Sequence, residues 1–106
     1  MDLENIKKQV IERLKHIYDP EIPVNIYDLG LVYKVDCKEG KEGAICDIDM
    51  TLTSAFCPAA ESIVELVKNI KNVLDGIEEI NVNLVFDPPW DQSKMSDEAK
   101  LQLGIL

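Results

Sequence analysis

The sequence is poor in basic residues, histidine, cysteine and long apolar runs, and each shortage removes a class of function. Its 11 lysines and arginines stand against 20 acidic residues, a formal charge of −9. Nucleic-acid affinity comes largely from counterions released by Lys and Arg, so no nucleic-acid partner is expected. No apolar run approaches the ~20 residues needed to cross a bilayer, and nothing like a signal peptide precedes the first amphipathic segment. A soluble cytoplasmic protein without a membrane partner is therefore expected. Three cysteines, an odd number in such a chain, argue for reduced thiols rather than a disulfide framework. A single histidine, His16, offers no convincing base for a thiol enzyme. Internal repeats, low-complexity tracts and linkers are absent.

What remains is an ordinary globular composition, 46% hydrophobic and 29% charged, in 106 residues. That length suits a single domain over residues 1–106. Asp2 to Tyr18 places Leu3, Ile6, Val10, Leu14 and Ile17 at steps of three and four, the stripe of an amphipathic helix. Asp2 is its expected N-cap and Pro20 its stop. Residues 19–30 carry two prolines and a glycine and read as a structured loop.

Two alternating runs follow. Leu31, Tyr33, Val35 and Cys37 share one strand face, with Lys34 and Asp36 opposite. Ala44, Cys46, Ile48, Met50 and Leu52 share a face of the second, with Asp47, Asp49, Thr51 and Thr53 turned away. The glycine-bearing turn between them predicts a hairpin pairing Cys37 with Cys46, Val35 with Ile48, Tyr33 with Met50 and Leu31 with Leu52. Pro58 opens a second helix to about Leu74, buried through Ala60, Ile63, Val67, Ile70 and Leu74, and Gly76 ends it. A third strand, Glu79–Phe86, turns Ile80, Val82, Leu84 and Phe86 inward. Ser96 caps a short last helix. The order α-β-β-α-β-α predicts an α+β fold, a two-layer sandwich with helices over one face of a three-stranded sheet.

Cys37 and Cys46 read as small buried hydrophobes facing one another. Cys57 differs, because it follows a strand and immediately precedes a helix. Unpaired N–H groups and the positive end of a helix dipole favour thiolate there. Thr53 and Ser54 add hydroxyl donors beside it. Such a thiolate can be a nucleophile, a redox thiol, a metal ligand or a capping residue. Asp19, Glu21 and Asp28 put carboxylates in the proline-stiffened loop, where turn formation also uses them. Trp90, fixed by Asp87-Pro88-Pro89, reads as a lid on the core more than as a ligand contact.

Three of these stretches together resemble one family. They are Asp19-Pro20-Glu21-Ile22-Pro23-Val24-Asn25-Ile26-Tyr27-Asp28-Leu29-Gly30-Leu31-Val32-Tyr33, then Met50-Thr51-Leu52-Thr53-Ser54 with Cys57-Pro58, then Asp87-Pro88-Pro89-Trp90 with Met95-Ser96 and Leu103-Gly104. The pattern is similar to the SufT/PaaD-like proteins of iron–sulfur cluster assembly, which include the eukaryotic cytosolic iron–sulfur targeting subunit. Ala55 departs from it, since relatives commonly have proline there. The resemblance implies a fold shared with the C-terminal domain of NifU-type scaffolds. It implies a non-enzymatic role in maturing iron–sulfur proteins, as carrier or targeting factor. Its reactive cysteine falls on Cys57, its acidic loop on Asp19, Glu21 and Asp28, and its threonine on Thr53. The implied cofactor is a transient iron–sulfur cluster or iron on Cys57, shared between chains, because one cysteine cannot close such a site. The implied partners are iron–sulfur scaffolds or carriers, client apo-proteins and a second copy in a homodimer. Cluster binding, sulfur acceptance and partner docking all stay open for Cys57. The alternative is a PaaD-like adaptor of a phenylacetyl-CoA-type oxygenase. PaaD-type chains often carry extra C-terminal cysteines, which this sequence lacks.

Overall fold

The first helix begins where its side chains dictate. Asp2 accepts a hydrogen bond from the Asn5 backbone N–H (3.1 Å), capping α1 (Leu3–Leu14), and the expected stripe turns inward with Val10 and Leu14 fully buried. The helix closes at Leu14, four residues before Tyr18; the expected stop at Pro20 lies outside the described residues. The computed structural model describes residues 2–18, 24–52 and 60–104.

Strands β1 (Val32–Glu39) and β2 (Ala44–Met50) form the expected antiparallel hairpin, closed by a bond from the Gly40 N–H to the Gly43 carbonyl (2.7 Å). Val35 pairs with Ile48 and Cys37 with Cys46, as the alternation requires. Beyond Lys34, which still pairs with Asp49, the expected register fails. Met50 pairs with Val32, and the ladder is irregular between Val32 and Lys34. A bulge places two residues opposite one, so Tyr33 is released from its expected pairing. Leu31 does not pair with Leu52; its carbonyl accepts from the Thr51 N–H instead (2.8 Å).

The second helix is broken. It runs as α2 (Ala60–Lys68) and a single turn α3 (Ile70–Val73), with Asn69 between them. Ile63, Val67 and Ile70 are buried as expected, while Pro58 lies outside the described residues. Gly76 then takes a left-handed backbone (φ +84°) ahead of β3 (Ile77–Leu84), which pairs with β2 in parallel and completes the order β1-β2-β3.

The central strand explains where the core sits. Ala44, Cys46, Ile48 and Met50 are all inaccessible to solvent and join Val10, Leu14, Ile63 and Val67 in one cluster. Burial of each large aliphatic side chain contributes about 1.5–3 kcal/mol. The other face is polar, and Asn81 and Asn83 on β3 donate to Asp47 (3.0 Å) and Asp49 (3.1 Å) on β2. Two expected inward residues are corrected here: Leu84 and Phe86 are 42% and 48% exposed. Leu84 is the last residue of β3 and Phe86 lies beyond it, so strand alternation loses its hold at these positions. After a 3₁₀ turn at Gln92–Lys94, Ser96 caps α4 (Asp97–Leu103) by accepting from the Ala99 N–H (3.1 Å). The α+β class and two-layer arrangement are those expected.

Candidate functional site

Of the expected site residues, Asp19, Glu21, Thr53, Ser54 and Cys57 lie outside the described residues, and Asp28 and Trp90 lie within them. The chain leaves β2 through Thr51 and Leu52, both buried, and returns at Ala60 to start α2. That exit point is built by three segments. The Thr51 N–H reaches the Leu31 carbonyl, and the Met50 carbonyl accepts from the Val85 N–H (2.9 Å). The loops 24–31 and 85–96 therefore flank the point at which the chain departs toward Thr53.

Asp28 is consumed by turn formation. Its carboxylate accepts from the Asn25 side-chain amide (2.7 Å), its N–H donates to Asn25 Oδ1 (2.9 Å), and its carbonyl accepts from the Ser96 N–H (2.8 Å). These bonds close an Asx-type turn and tie it to the cap of α4. Trp90 is half-buried, and its indole N–H donates to the Leu29 carbonyl (2.7 Å). It is a strut between the two loops, in keeping with a lid. Gly30 lies under the same strut with φ +81°, and a Cβ there would sit 2.1 Å from the Lys94 carbonyl oxygen.

Two residues of this end were placed differently by periodicity. Thr51, expected to turn outward with Asp47 and Asp49, is 1% exposed, because β2 ends at Met50 and strand alternation no longer governs it. Tyr33, expected among the apolar residues, donates its phenol to the Pro88 carbonyl (2.8 Å) and is hydrogen-bonded by the Thr51 side chain. Lys94 Nζ stands 5.2 Å from the Tyr33 ring centroid, a cation–π distance. Burial raises the Tyr33 phenol above its ordinary pKa, the Asp91 carboxylate raises it further, and the Thr51 bond opposes both. Asp91 is held below the ordinary carboxylate range by bonds from the Ser93 hydroxyl and N–H. Gly30, Val32, Tyr33, Pro88 and Lys94 line a shallow, open depression of about 450 Å³ beside this exit.

The far end of the hairpin corrects a further expectation. Cys37 and Cys46 are not separate thiols but are joined in a disulfide. Direct opposition in the register brings their Cα atoms to 4.1 Å, slightly closer than the usual spacing of bridged cysteines. His16 is exposed, and among the described residues no three His, Cys, Asp or Glu side chains converge to hold a metal ion. No helix in the described chain is long and apolar enough to cross a membrane.

Architecture and loop set define a small α+β protein in which the loops 24–31 and 85–96 flank the exit of β2. Residues 7–84 match the family described as iron–sulfur cluster assembly protein, and the chain belongs to it. It is 43% identical over 100 residues to an Fe-S protein maturation auxiliary factor of Porphyromonas gingivalis, covering 94% of this chain and 92% of that one. It is 43% identical over 89 residues to the Fe-S protein maturation auxiliary factor SufT of Staphylococcus aureus, covering 84% of this chain and 98% of the relative. The crystal structure of a DUF59 domain from Bacillus anthracis superimposes with a TM-score of 0.84 at 42% identity, covering 100% of this chain and 98% of that one.

Proposed function

We propose that this chain is an accessory factor in the maturation of iron–sulfur proteins, acting through Cys57 as a cluster carrier or targeting factor rather than as a catalyst. The near full-length likeness to relatives named as maturation auxiliary factors carries this reading, and it favours maturation over an oxygenase adaptor. The cluster is cargo, delivered to client apo-proteins from a scaffold or carrier.

The cysteine inventory supports a shared site. Cys37 and Cys46 are bonded to one another, which leaves Cys57 as the one cysteine of three outside the pair. A cluster coordinated by one thiolate needs its other positions filled from elsewhere. The Asp28 carboxylate is engaged with Asn25, and carboxylates such as Asp19 and Glu21 replace thiolates poorly on soft iron–sulfur centres. A homodimer presenting two Cys57 thiolates, or one chain docked on a client, completes the coordination.

Anaerobic reconstitution with iron and sulfide, followed by size-exclusion chromatography with in-line metal analysis, tests this reading. Iron and sulfide should elute with an assembled species and be absent from Cys57→Ser. A stoichiometric cluster on a strict monomer without added thiols, or equal loading of Cys57→Ser, contradicts it.

A further inference from the structure

We propose that Cys37 and Cys46 form a reversible dithiol–disulfide site that exchanges with low-molecular-weight disulfides and thiols, entered at Cys37 and closed by Cys46. The pair does not include Cys57, and the proposal goes beyond the maturation role. It lies four residues from Met50 along β2, about 13 Å from the end at which the chain leaves for Thr53.

Three observations carry it. The ladder on both sides, Val35 with Ile48 and Lys38 with Ile45, holds the cysteines opposed through backbone bonds that do not depend on the sulfur–sulfur bond. Oxidation and reduction therefore need no change of register, and each thiol meets the other at a high effective concentration. The two cysteines are also unequal in exposure. Cys46 is inaccessible to solvent, whereas Cys37 is only half-buried at the margin of the core. An outside reagent meets Cys37 first. Finally, no third metal-ligating side chain joins them among the described residues, so thiol exchange rather than metal binding is the chemistry the pair supports.

The steps balance. The Cys37 thiolate attacks a small disulfide, forming a mixed disulfide and releasing one small thiolate. Cys46 loses its proton and attacks the Cys37 sulfur, which expels the second small thiolate and closes Cys37–Cys46. Two protein thiols become one disulfide, and one small disulfide becomes two thiols. Reduction by two small thiols runs the same steps backwards.

The test uses the full-length Cys57→Ser chain in glutathione buffers of graded oxidised-to-reduced ratio, acid-quenched, alkylated and weighed by mass spectrometry. The expected result is a single reversible transition in which the oxidised form has lost two hydrogens and the mixed disulfide does not accumulate. Cys37 in the Cys46→Ala, Cys57→Ser chain should be glutathionylated at least about tenfold faster than Cys46 in the Cys37→Ala, Cys57→Ser chain, following exposure. A pair that stays dithiol in fully oxidised glutathione, one that cannot be reduced in the folded chain, or equal rates at the two sulfurs overturns the proposal. Should a core cysteine variant not fold, the titration with both cysteines present decides the question alone.

Discussion

The two ends of the sheet are held by different means. At the hairpin end backbone meets backbone, with Gly43 buried against Gly76 and the Ala44 N–H donating to the Gly76 carbonyl (2.8 Å), and one carboxylate, that of Glu78, accepts from the Glu42 N–H (2.7 Å). At the opposite end backbone bonds from Thr51, Val85 and Ser96 are supplemented by long side chains that span loops, with Trp90 on Leu29 and Tyr33 on Pro88. Contacts made by main chain leave no room for another atom. Contacts made by side-chain tips can be removed one at a time. The end that carries the candidate site is thus the end whose parts can be loosened separately.

The largest expected effect is the exception within the side-chain end. Gly30→Ala imposes both a left-handed backbone on a residue with a Cβ and a clash with the Lys94 carbonyl, and should lower stability by about 3–4 kcal/mol. Gly43→Ala comes next, because its Cβ would approach the Gly76 carbonyl oxygen to 2.8 Å. A loss of about 1–3 kcal/mol is expected, and urea midpoints measure both changes. Trp90→Phe keeps most of the ring but deletes the donor to Leu29, at a cost of about 1–2 kcal/mol. If Trp90→Phe proves as costly as Gly30→Ala, the separability of the side-chain end is wrong.

The smallest effect is in pH dependence. The Tyr33 phenol is raised in the folded chain by burial first and by Asp91 second. Its contribution is therefore complete below the unfolded value of about 10 and is lost as pH rises through the folded value. Denaturation midpoints should fall more steeply above pH ~10 for the wild type than for Tyr33→Phe. Parallel curves would show that Tyr33 titrates alike in both states.

The same contrast explains what could be read in advance. Period-two and period-three-to-four patterns placed α1, the Val35–Ile48 and Cys37–Cys46 pairs, and the buried faces of α2 and β3 up to Val82, because burial on one face imposes the repeat. Where an element ends, the repeat loses its authority. Thr51 is buried, Leu84 and Phe86 are exposed, and a bulge at Tyr33 shifts the register, each within a few residues of a strand end. The proline-fixed segment of Trp90 suggested a lid on the core, whereas its bond to the Leu29 carbonyl was not legible, since contacts 61 positions apart leave no local signal. The disulfide was missed for a chemical reason. An odd cysteine count speaks to the whole chain, and the pairing was decided locally by the hairpin register.

The central claim is that Cys57 serves function rather than fold. The most direct measurement compares Cys57→Ala with the wild type in cells lacking this chain, reading the activity of iron–sulfur enzymes, alongside denaturation midpoints of the two purified proteins. The account predicts lost enzyme activity with a stability change within about 0.5 kcal/mol, as for a substitution away from packing. Full rescue by Cys57→Ala, or a stability loss of about 3 kcal/mol that accounts for the phenotype by itself, would contradict it.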